Sequence, residues 1–123
     1  MNTQERRQDI YNRVKAHLLK QGQRASIAGE GCMYRLVLED GTVLKCAIGG
    51  LIPDDKYDPK WEGKAAWGLI SKQSFRDATG FYTEDGGAGT GFAKQLQEIH
   101  DEWTPDHWEE QLRDLAHRFN LQP

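Results

Sequence analysis

The sequence predicts an α+β fold: an N-terminal helix packed on a two-stranded antiparallel β-hairpin, an irregular turn-rich loop, and a C-terminal helical hairpin. Three observations carry this. Apolar residues recur at helical spacing near the start, the run around Asp40-Gly41 alternates as a hairpin does, and two further helical stripes are split by Thr104-Pro105. A chain of 123 residues fits a single domain, 1–123, with one modest core.

The first helix is predicted over residues 4–20. Ile10, Val14 and Leu18 recur four apart with Tyr11 beside them, which builds one apolar face. Asn2 with Glu5 three residues later reads as a capping box, and Gly22 as the stop. Arg6, Arg13 and Lys20 fall seven apart, a basic stripe flanking that face.

Residues 31–48 read as the hairpin. A two-residue loop would set Leu36 opposite Lys45 and mix the faces. A three-residue loop, Glu39-Asp40-Gly41 with Gly41 left-handed, instead pairs Leu38 with Thr42. Cys32, Tyr34, Leu36 and Leu38 then share an apolar face with Leu44, Cys46 and Ile48, while Arg35, Glu39 and Lys45 point outward. The lone hairpin needs cover, which the first helix supplies.

Beyond it, Pro53 and Pro59 mark short turns, with Asp58 as a cap before Pro59. A helix is expected over residues 69–78 and a flexible loop over residues 84–91. Phe92, Leu96, Ile99 and Trp103 mark one terminal helix; Trp108, Leu112, Leu115 and Phe119 mark the other.

Composition narrows the class. Two cysteines are too few for a secreted disulfide scaffold, and no apolar run resembles a signal peptide or reaches the ~18 residues of a membrane span. A cytoplasmic protein with reduced thiols and no membrane association is expected. Charge is polarised: residues 1–24 carry six bases against two acids, residues 86–123 three against seven. Such ends can pair with each other or steer a partner.

No reaction centre assembles from the sequence. Gly86 and Gly91 have phosphate-loop spacing, but Phe92 stands where the lysine is needed and Ala93 where the hydroxyl is. The dinucleotide pattern fails at Phe92 as well. His17, His100, His107 and His117 form no tight ligand pairs with Cys32 or Cys46, so no metal and no cofactor are expected. Both cysteines fall on the apolar face, where burial suppresses the thiolate. Catalytic residues are therefore expected to be absent.

A partner surface is the remaining candidate. Tyr57, Trp61 and Trp67 interleave with Lys56, Lys60 and Lys64. Asp54, Asp55, Asp58 and Glu62 more than cancel those bases, which argues against a phosphate track; a core plug comes first, then a protein contact, with nucleic-acid stacking as the third reading. The candidate partner-binding set is Tyr57, Trp61, Trp67, Asp54 and Asp55, with Arg6, Arg13 and Lys20 on the first helix.

The segments HLLKQG (17–22), CMYR (32–35), DGTVLKCAIG (40–49), LIPDDKY (51–57), EG (62–63) and LQEIHDEW (96–103) resemble a family of short uncharacterised phage and bacterial proteins. LKCAIG followed by LIPDDKY is the most specific part. Relatives carry a further cysteine where Gly50 stands here, which weakens a metal or thiol role for this chain. The resemblance transfers no catalytic residue and implies a mobile-element setting. The expected function is a non-catalytic protein-binding accessory factor that inhibits or modulates a host protein complex. Two alternatives are a small enzyme with a Cys or His centre, and a nucleic-acid-binding module using the basic first helix. Unpaired strand edges leave homo-oligomerisation open.

Overall fold

The computed structural model describes residues 1–27, 31–87 and 91–123. Helix α1 runs Thr3–Gln21, with the Asn2–Glu5 capping box formed at its start and Gly22 left-handed (φ 64°) at its end. Ile10, Tyr11, Val14 and Leu18 are all essentially buried, as their spacing requires. This face packs on α5 and on a 3-10 turn at Gly49–Leu51.

Among the described residues four short strands follow: β1 Ser26–Ile27, β2 Gly31–Cys32, β3 Leu36–Val37 and β4 Val43–Leu44. β3 and β4 pair antiparallel with Leu36 opposite Leu44 and Val37 opposite Val43. The Leu38 N–H donates to the Thr42 carbonyl, the Gly41 N–H donates back to Leu38, and Gly41 sits at φ 88°. The register and loop follow the sequence reading, because a slip would turn Leu36 and Leu44 into water.

The hairpin is shorter than expected. Gly31 and Cys32 pair with Ile27 and Ser26 rather than with residues 46–48. The cause is Glu62, whose carboxylate accepts the N–H groups of Tyr34 and Arg35, each at 3.0 Å, and draws the chain out of the ladder. Tyr34, Cys46 and Ile48 are still buried, but in the main core and without strand pairing. A smaller core of Ala25, Leu36 and Leu44, covered by Met33 and Leu38, lies under the hairpin.

Asp58 caps the 3-10 turn Pro59–Trp61 by accepting the Lys60 N–H. The expected helix over residues 69–78 is broken in two, α2 Ala66–Leu69 and α3 Gln73–Thr79. The break holds because the Arg76 side chain donates to the Ile70 carbonyl in the gap. The loop expected over residues 84–91 falls partly outside the described residues, at Ala88, Gly89 and Thr90. Its start is ordered by charge: Asp85, fully buried, pairs with Arg6 and Arg7 of α1.

The C-terminal hairpin comprises α4 Phe92–Glu102 and α5 Pro105–Arg118, with Pro105 in the first turn and Thr104 at the N-cap position, where its hydroxyl donates to Asp106 instead of accepting a main-chain N–H. Trp108 is wholly buried, and its indole N–H donates to the Trp103 carbonyl across the corner. No helix among the described residues is long and apolar enough to cross a membrane.

Candidate functional site

Besides the buried ion pairs of Arg6 and Arg7 with Asp85, two clusters of polar side chains among the described residues border a cavity or groove. At the first, the Cys32 sulfur, a His100 ring nitrogen and an Asp101 carboxylate oxygen lie within 4.8 Å of one another. They sit beside a cavity of about 280 Å³ lined in part by Tyr34, Lys64 and Gln97. The expectation that both cysteines share the apolar hairpin face fails here. Cys32 is half-buried on β2, opposite Ser26, because the strand left the ladder at Tyr34.

Hydrogen bonding decides what this cluster can do. The buried His100 receives the Ala25 N–H at Nε2 (2.9 Å) and faces the Asp101 carboxylate through Nδ1 (2.8 Å). A main-chain N–H only donates, so Nε2 carries the lone pair and the ring proton sits on Nδ1, donated to Asp101. Binding a metal through Nδ1 would move that proton to Nε2 and set two donors against each other. Neither nitrogen is free to take a proton from Cys32. The Arg24 guanidinium, 3.8 Å from the Cys32 sulfur and bonded to the Asp101 carbonyl, adds a positive charge that opposes a cation there.

The thiols match this. Burial, reinforced by the Asp101 charge, pushes Cys32 up to about 11. Burial pushes Cys46 up to about 12, although its sulfur accepts the Gly49 N–H at 3.3 Å. At neutral pH both are thiols, and the nucleophile is the thiolate.

The second place is a groove of about 490 Å³ between the last turn of α1 and β4, lined by Lys20, Gln21, Arg35, Val43, Lys45 and Asp54 among others. The Gln21 carboxamide accepts the Lys45 N–H and donates to the Lys45 carbonyl, both at 2.9 Å. His17 Nε2 meets the same carbonyl at 3.0 Å, and burial holds its imidazole below the usual histidine range. Asp54 Oδ1 accepts from Arg35 (2.5 Å) and Lys45 (3.1 Å), and these bonds depress its carboxyl. Lys20 is exposed and makes no ion pair or hydrogen bond with the described residues.

The expected site residues scatter. Lys20 and Asp54 meet in the groove, joined by Arg35 and Lys45, which the sequence places outward without a role, and by Val43, to which it gives no orientation. Asp55 is exposed nearby in the chain. Tyr57 is half-buried and donates to Glu62 at 2.6 Å. Trp61 is a correction: at 3% exposure it plugs the core, edge-on to Phe75 with ring centres 5.1 Å apart, and it offers no contact surface. Trp67 is exposed on α2.

Arg6 is a second correction. It is 6% exposed, bonded to Glu84 and Asp85 and stacked on Tyr82, because a buried Asp85 demands a partner. Arg13 is exposed but engaged with Asp9 and the Leu51 carbonyl. Among the described residues, the basic stripe thus keeps one cation without a partner, Lys20. Comparison with family models, curated proteins and solved structures finds no match to this chain.

Proposed function

We propose that the chain is a small, non-catalytic protein-binding module whose contact surface is the outward face of the β3–β4 hairpin. One observation carries the reading. Val37 and Val43 stand directly opposite each other on that face, 59% and 37% exposed, with Arg35 and Lys45 beside them. Directly paired β-branched residues that face water form a small apolar knob, and a charged frame around such a knob is the anatomy of a contact surface. The setting that fits is the cytoplasmic one inferred from sequence, with a host protein or complex as partner and a mobile-element origin.

The enzymatic alternative through Cys32, Cys46 or a histidine draws no support from the donor arrangement around His100 or from the suppressed thiolates. Nucleic-acid binding through α1 loses Arg6 to the buried ion pairs.

The test is site-directed photocrosslinking, with a benzophenone side chain at Val37 and, as control, at Tyr82. Specific adducts with one protein at Val37 only, competed by unlabelled chain and weakened by Val43→Glu, are the expected result. Equal labelling from both positions, or competition that leaves the adducts unchanged, would refute the reading.

A further inference from the structure

We infer that the groove beside β4 is a peptide site: it takes an extended acidic segment that pairs with the free outer edge of Val43 and sets its carboxylates on Lys20, Lys45 and Arg35. The inference rests on the protein-binding reading and names the kind of partner.

The edge argument comes from the ladder. The Leu38 N–H donates across the ladder to the Thr42 carbonyl, so two residues along, Leu36 and Leu44 are again the inward-bonding pair, and the main-chain groups of Val43 and Lys45 point away from β3. Gln21 confirms that direction. Its carboxamide meets Lys45 along the outer edge with the donor and acceptor of a peptide group, in the two-bond pattern of an added strand. Val43 is the next outward position along the same edge, exposed and lining the groove. A peptide bonded there would continue what Gln21 begins, which is strand addition on a short scale.

The charge argument comes from Asp54. Its carboxylate already lies between Arg35 and Lys45 while remaining 72% exposed, so two cations hold an acid at the groove wall in a position an incoming side chain can share or displace. Lys20 adds a third cation on the opposite wall. Three bases against one acid leave a surplus positive charge in a chain whose net charge is −3. A nucleic acid fits less well. Among the described residues no tryptophan, tyrosine or phenylalanine lines the groove to stack on a base, and the main-chain edge has no counterpart on a phosphate backbone.

The experiment titrates the amide NMR spectrum of the whole chain with a hexapeptide of alternating valine and glutamate. The controls are its valine–lysine counterpart, the acidic peptide N-methylated at alternate residues, and a short oligo-deoxythymidine. The expected result is saturable movement of the Val43 amide with the acidic peptide, a loss of about tenfold or more in affinity with Lys20→Glu, and no binding of the N-methylated form. Lys20 is exposed and, among the described residues, unpaired, so its reversal leaves the fold intact.

Equal or tighter binding of the lysine peptide or the oligonucleotide would overturn the inference, as would binding that leaves Val43 unmoved. If photocrosslinking from Val37 succeeds while the acidic peptide fails, the protein-binding reading stands and this inference alone falls. Failure of both removes both.

Discussion

The Gln21 side chain and the Lys45 main chain form a two-bond pair, 2.9 Å in each direction, that ties the last turn of α1 to β4. Removing the amide leaves the Lys45 N–H without its acceptor and strips one of the carbonyl's donors. Gln21→Ala is expected to destabilise the fold by about 1–3 kcal/mol in denaturant unfolding. Gln21→Glu keeps the acceptor but sets a carboxylate against the Lys45 carbonyl, so it fares no better than alanine. A change near zero for both would show that the pair contributes nothing.

Gly50 is required by His17. A Cβ at Gly50 would lie 2.4 Å from His17 Cδ2, and the ring is held in place by the Lys45 carbonyl. Gly50→Ala, and still more Gly50→Cys, should cost about 1–3 kcal/mol by overpacking. The penalty should shrink in a His17→Ala background. A double-mutant cycle measures the coupling, and strict additivity would contradict the contact.

Trp61 and Trp67 should part company. Trp61→Ala empties a core position against Phe75 and should cost about 3–5 kcal/mol. Trp67→Ala, on an exposed position, should stay within about 0.5 kcal/mol. Thermal unfolding of the two variants separates them, and equal losses would place both rings inside.

Alkaline pH should destabilise the fold through its thiols. Both pKa values are raised above that of an unfolded cysteine, about 8.5, so the folded state keeps its protons longer. The stability they contribute is complete below about pH 8.5 and falls as pH rises toward about 11 for Cys32 and about 12 for Cys46. Cys46→Ala should flatten part of that slope, and iodoacetamide should label the native chain slowly at pH 7. Rapid labelling at pH 7 would mean an activated thiolate and reopen the enzymatic reading.

What the sequence revealed was local. The capping box at Asn2 and Glu5, the Leu36–Leu44 register and the Thr104-Pro105 corner each depend on residues a few positions apart, and each formed as its side chains dictate. The misses were non-local. The chain leaves the hairpin because Glu62, 28 residues beyond Tyr34, takes its amide. Arg6 left the basic stripe because Asp85, 79 residues away, is buried. The groove was half visible: Arg35 and Lys45 were placed outward, but nothing in the periodicity shows Gln21 reaching across 24 residues to complete its wall.

Glu62 has a consequence for self-association. Its carboxylate caps the flank of β3 at Arg35 as Gln21 caps the flank of β4 at Lys45, so this small sheet is stoppered on both sides by side chains from its own chain. Each flank then offers little more than one residue, Val37 or Val43, as a template. At about 3.3 Å of rise per residue, that run is too brief to propagate the continuous stacking that drives fibres. The molecule can lend a margin to a short guest while resisting endless growth on copies of itself.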